Sequence, residues 1–140
     1  MNDIDAAMER LHKEKVALTI VKNGSTLFET RSHRISGFLD AIDRLDGQLE
    51  DSSIADRVAG KAVALLCVYI KAKAVYSDVL SKQAKMVLDE NGVKSKWESL
   101  VENILNSDRS ALCPFEKAAK SISDPVEAYV VFVKLQKALG

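Results

Sequence analysis

Cys113-Pro114-Phe115-Glu116 is the stretch whose residue types are best suited to chemistry. Proline in a first helical position and glutamate two residues beyond it make Cys113 an N-cap and Glu116 an N3 acid. The positive end of a helix dipole stabilises a thiolate and lowers the pKa of the thiol. Cys113 is therefore a candidate nucleophile, with Glu116 as a candidate catalytic acid beside it. The competing reading is a small residue in a cap position and a capping-box carboxylate, since no histidine is visibly placed to activate the sulfur.

Asp56, Gly60 and Lys61 form a second constellation, at the entrance of the most continuously apolar stretch of the chain, Ser53 to Val79. Backbone N–H groups at a helix start point outward and can receive an anion, and Arg57 and Lys61, four apart, could grip a phosphate. A glycine inside a helix costs about 1 kcal/mol against alanine, which close approach of a ligand or of a neighbouring strand would offset. The P-loop pattern GxxxxGK[ST] is absent. Ser53-Ile54-Ala55-Asp56 matches a capping box, which explains Asp56 without a ligand and starts the buried helix at Ser53. Asp78, with Ser77 and Ser81 nearby, falls at the carboxyl end of a predicted strand, where open α/β sheets carry their sites. Turn chemistry and a helix cap are its structural explanation. His12 and His33 lie far apart in sequence and read as surface residues.

These residues must be positioned by a small set of elements. Asp3 to Lys13 has Ile4, Ala7, Met8 and Leu11 at helical spacing, with Asp3 available as a cap. Val16 to Lys22 and Ser25 to Arg31 flank Asn23-Gly24, the strongest short hairpin signal. Apolar residues on both faces of the first strand predict a sheet covered on both sides. The run ISGFLDAIDRLDGQL after Arg34 returns to a helical period and can stop at Gly47. Ala62 to Ile70 is too apolar on every side for a surface helix and reads as the buried one. Ala74 to Val79 reads as a strand, Ser81 as the cap of a helix reaching Glu90, and Val93 to Glu98 as a further strand, although Trp97 and its successors also suit a helix. Leu100 to Leu105 suits a short helix, and Asn106 to Ser110 a polar loop. Two helices close the chain, capped at Cys113 and Asp124, the second with a broad apolar face for packing on the sheet. The expected fold class is α/β, a three-layer α/β/α sandwich on a small mixed sheet formed by residues 1–140 as one domain.

Composition narrows the partners. The 140 residues are 47% hydrophobic and 29% charged, with 20 basic residues balancing 20 acidic ones. No net field draws the protein to nucleic acid or to an anionic membrane, so any charged site must be local. Cys67, one of the two cysteines, sits within the apolar helix, which argues against a structural disulfide. The N-terminus begins with acids and lacks an apolar signal region, and the apolar runs are too short to span a bilayer, so a cytoplasmic location is expected. The partners expected are a small-molecule ligand and, through a surface of its own, a second copy of the chain.

The order of elements, with ADRVAGKAVALL, VYSDVLS and SDRSALCPFEKAA, resembles a small prokaryotic family of unknown function assigned to the cytidine-deaminase-like fold. The resemblance spans nearly the whole chain and rests most specifically on Asp56, Gly60, Lys61, Ala62 and the segment from Cys113 to Glu116. It implies a helix, a hairpin, a central helix and then alternating strands and helices. Zinc deaminases place His (or Cys)-x-Glu at the start of the central helix and Pro-Cys-x-x-Cys at the next helix start. Here Asp56-Arg57-Val58 stands near the first position and Ser77 to Ser81 near the second, so every expected ligand is missing. The Cys113-Pro114 pair has the wrong order and no second cysteine. No metal or other cofactor is therefore expected, and the function implied is ligand binding at helix N-termini on a metal-free deaminase-like fold. The alternative is a non-catalytic interaction or oligomerisation module that has lost the chemistry.

Cys113 is expected to react with a thiol reagent much faster than Cys67 in the native protein, because a helix start favours thiolate while an apolar core excludes the reagent. Labelling rates at neutral pH, resolved by peptide mass, check this; equal rates would remove the reason to single out Cys113.

Overall fold

Asn23 and Gly24 both take positive φ, 52° and 79°, the signature of a type I′ turn, whose twist matches that of the strands it joins. It closes the hairpin of β1 (Leu18–Lys22) and β2 (Ser25–Thr30), with Lys22 opposite Ser25. In this computed structural model the described residues are 2–32, 35–104 and 113–139. The free edge of β1 pairs antiparallel with β3 (Ser53–Ala59), and β3, β4 (Ala74–Ser81) and β5 (Lys94–Val101) run parallel, giving a mixed sheet of order β2-β1-β3-β4-β5.

Helices cover both faces. On one side lies α1 (Asp3–Lys13), whose Ile4, Ala7 and Leu11 pack with Val16, Val21, Ala55, Ala74 and Tyr76. Asn2, rather than Asp3, caps this helix, its Oδ1 accepting from Asp5 N at 3.0 Å. The Asp3 carboxylate instead accepts from Asn23 N and Gly24 N at 2.8 and 2.9 Å, tying the start of the helix to the hairpin turn. On the other side are α2 (Ile35–Arg44), α3 (Lys61–Tyr69) and α4 (Lys82–Glu90), which share the main core with Leu18, Ile20, Ile54 and Val75. The expected α/β/α sandwich is the arrangement found, with the two crossovers β3-α3-β4 and β4-α4-β5 at its centre.

Four further expectations need correcting. Ser53 to Asp56 is not a helical cap but the first half of β3, hydrogen-bonded to β1 on one edge and β4 on the other. Ile54 faces the main core and Ala55 faces α1, a period of two that outweighs a four-residue capping pattern. The buried helix consequently starts at Lys61, after Gly60. The strand β5 runs on through Leu100 to Val101, where a helix was expected; Leu105, His33 and the loop from Asn106 to Ser110 lie outside the described residues. Finally, α6 (Pro125–Leu139) packs chiefly on α3 rather than on the sheet, because α3 already occupies that surface. This explains why α3 is apolar all round: it is enclosed between the sheet and α6, with α5 (Pro114–Ala119) beside it.

The caps of α4 and α6 are those expected, Ser81 Oγ accepting from Ala84 N and Asp124 Oδ1 from Val126 N, each at 3.0 Å. Aromatic pairs join α6 to both α3 and α5. Tyr69 stacks on Tyr129 with centroids 4.5 Å apart, and Phe115 meets Phe132 edge-on at 5.9 Å.

Phe132 is fully buried whereas Val130 on the same helix is 45% exposed. Phe132→Ala is expected to cost about 3–5 kcal/mol in urea unfolding, and Val130→Ala to stay within about 0.5 kcal/mol. Similar losses for the two would mean that α6 presents a different face to α3.

Candidate functional site

The parallel strands β3 and β4 each run directly into a helix, which sets the N-termini of α3 and α4 side by side at one end of the sheet. The two ends are satisfied differently. Ser81 caps α4 locally, whereas Gly60, the N-cap of α3, has no side chain to offer. The missing acceptor comes from far along the chain: Glu116 Oε2 accepts from Lys61 N and Glu116 Oε1 from Ala62 N, both at 3.1 Å. A Cβ on residue 60 would lie 1.8 Å from Glu116 Oε1 and 2.8 Å from Ile104 Cγ1, so glycine is required for the carboxylate to approach. Glu116 is only 8% exposed. Burial raises the pKa of its carboxyl, and the two amides together with the Lys61 ammonium offset only part of that rise.

Beside this cap is a cleft with room of about 80 Å³, lined by Lys61, Gln83, Asn103, Ile104, Glu116 and Lys120. Lys61 Nζ donates to the Lys120 carbonyl at 3.3 Å across it. Two lysines, two carboxamides and a buried carboxylate converge here. The arrangement can hold an anionic group against the ammonium groups and an N–H or O–H group against Glu116.

Of the sequence candidates, the structure brings together Gly60, Lys61 and Glu116. Asp56 is half-buried on β3, where its Oδ1 accepts from Val58 N at 3.4 Å, and it is not among the residues lining the cleft. Burial pushes its carboxyl up to about 7, with the Asp78 charge adding to the effect. Cys113 caps α5 without a side-chain hydrogen bond, is half-buried and also lies outside the lining. Cys67 is fully buried, and burial, then the Asp56 charge, pushes its thiol well up.

Asp78 belongs to a different cluster, beside α1. Its carboxylate takes hydrogen bonds from Tyr76 Oη at 2.7 Å and Arg57 at 3.0 Å, and lies 2.7 Å from His12 Nε2. Burial raises its pKa, but the hydrogen bonds from His12, Tyr76 and Arg57 win and hold it below the usual carboxylate range. Arg57 also donates to the carbonyls of Val16 and Leu11, so it fastens the end of α1 to the sheet. It stands on a strand, with its guanidinium on the α1 side, and therefore cannot share a helical phosphate grip with Lys61 as the spacing suggested. Gln83, Asn103 and Lys120 were not anticipated. Only Lys120, one helical turn after Glu116, had a signal in the sequence. Among the described residues no group of three His, Cys, Asp or Glu side chains is placed to hold a metal ion, and no helix is long and apolar enough to cross a membrane.

A mixed α/β sheet with a polar cleft over two adjoining helix N-termini defines the class of this domain. The chain belongs to the DUF1893 family, a domain of unknown function whose model matches residues 6–135. A solved DUF1893 family protein (TM1506) from Thermotoga maritima is similar to it, with 26% identity and a TM-score of 0.86 over 95% of this chain and 89% of that one. The apo dCMP deaminase of cyanophage S-TIM5 is similar at 17% identity and a TM-score of 0.49, over 68% of this chain and 93% of that one. No curated protein matches the chain.

The raised pKa of Asp56 fixes the sign of a pH effect. An acid whose pKa rises from 3.8 to about 7 on folding binds more protons in the native state between those limits, so stability falls as pH rises through that window. Relative to Asp56→Asn, the wild-type protein should lose stability steadily from about pH 4 to pH 7 and change no further above it. Urea unfolding of both proteins across this range is the measurement, and a constant difference would place the Asp56 carboxyl in water.

Proposed function

We propose that this domain binds a small, anionic ligand, phosphate-bearing or nucleotide-like, in the cleft between the starts of α3 and α4. The observation that carries this reading is the convergence of Lys61, Lys120, Gln83 and Asn103 around the buried Glu116 carboxylate. The N–H groups of Lys61 and Ala62 are already taken by Glu116, so the ammonium groups, not the backbone, hold the anion. Glu116 then accepts a hydrogen bond from the ligand, or exchanges a proton with it, as a carboxyl whose pKa is raised by burial can do. Ligand pockets commonly reach about 300–1,000 Å³, and a cleft of about 80 Å³ encloses only one end of such a molecule. That small volume is also what favours the second reading, a non-catalytic interaction module in which Glu116 simply replaces a ligand. Cys113, outside the cleft lining, is assigned no step.

Thermal and urea unfolding with inorganic phosphate and a panel of nucleotides separates the two. A ligand at a hundred times its Kd adds about 2.7 kcal/mol. In Lys61→Met this gain is expected to vanish while the unliganded protein stays within about 0.5 kcal/mol of wild type, since the backbone N–H of residue 61 remains capped. No response to any compound would favour the interaction module.

A further inference from the structure

The outermost strand on one side of the sheet, β5, pairs only with β4, and among the described residues no strand lies beyond it. An eight-residue edge presents a row of backbone donors and acceptors ready to pair with another strand. Trp97 and Leu100 on this strand are 36% and 37% exposed. The pleat divides its side chains. Lys96 Nζ lies 3.1 Å from Asp5 on α1, and the Glu98 charge reaches Tyr76, so both are on the α1 face. Trp97 is on the opposite face, with Lys85 Nζ of α4 5.6 Å from its ring centroid.

We infer that β5 is the contact through which two copies of this chain pair, antiparallel, about a two-fold axis at Trp97. An isologous contact must be self-complementary, and an antiparallel pair sets residues of the same face opposite each other. Centred on Trp97, Lys96 faces Glu98 of the second copy and Glu98 faces Lys96 of the second copy, both on the α1 side. The two indoles meet on the α4 side. Centring the axis on Lys96 or on Glu98 would set that charge against itself, and centring it on Ser95 would set Lys94 against Lys96. Centring it on Ser99 would pair only residues 97–101 and no charges, so the Trp97 register is the one that joins opposite charges within β5 and opposes no like ones, and it extends the two five-stranded sheets into one of ten strands. This inference is independent of the ligand reading.

The test is a charge swap on the full chain, followed by sedimentation equilibrium, with circular dichroism to confirm folding. Wild type is expected as a dimer of the 15.4 kDa chain. Lys96→Glu alone and Glu98→Lys alone should each weaken dimerisation about tenfold or more, by turning two attractive pairs into repulsive ones. The double variant Lys96→Glu/Glu98→Lys should restore it, and the two single variants mixed together should form a heterodimer. A monomeric wild type, a dimer indifferent to the single reversals, or a loss that the double variant does not repair would each overturn the inference.

Discussion

A carboxylate seated on the end of a buried helix organises this protein. The helix α3 is enclosed along most of its length by apolar groups, and at its start the N–H of Ala62 is buried and that of Lys61 partly so, which leaves them few partners in water. An unsatisfied buried donor costs about 1–3 kcal/mol, and the residue in the N-cap position has no side chain to supply the acceptor. Glu116 supplies it from α5, which fixes α5 against the mouth of the crossover and leaves Gly60 no room to be anything but glycine. The cleft, the Lys61 contact to Lys120 and the edge-on contact of Phe115 with Phe132 all accompany that placement.

The other face of the sheet is held by a different kind of bond. Among the described residues α1 alone covers the strands there, and its apolar stripe is framed by ionic contacts: Arg10 with Glu29, Lys96 with Asp5, and Arg57 with Asp78 and with the carbonyls of Leu11 in the last helical turn and Val16 just beyond the helix. A single amphipathic helix buries less surface than the stack of α3 and α6, and directional polar contacts fix its position where packing alone would let it slide. Asp78, which stands where an α/β sheet often carries its chemistry, serves that purpose.

What could be read from the residues was what acts locally. The hairpin at Asn23-Gly24, the caps at Ser81 and Asp124 and the enclosed character of residues 62–70 each depend on a handful of neighbours, and each is found as expected. Ser53 to Asp56 misled because a serine followed three positions later by an acid is a common accident, whereas the strand is decided by partners on β1 and β4. Gly60, Lys61 and Glu116 were all singled out, yet their union was not foreseen. Glu116 had an adequate local role as the acid of its own helix, and nothing near it in sequence points to a helix start 55 residues earlier. Arg57 was placed on a helix with Lys61 for the same reason, and the strand turned it to the opposite side.

The long reach of that cap bears on how the chain comes into being. During synthesis β3, α3 and β4 emerge well before residue 116, so the nascent polypeptide must carry its most apolar helix with an open end and without the cover of α6. Contacts of such large sequence separation slow folding, since loop closure must be completed before they contribute. The central crossover is therefore the part of this domain most in need of shelter on the ribosome, and the helices that seal it, α5 and α6, are made after it.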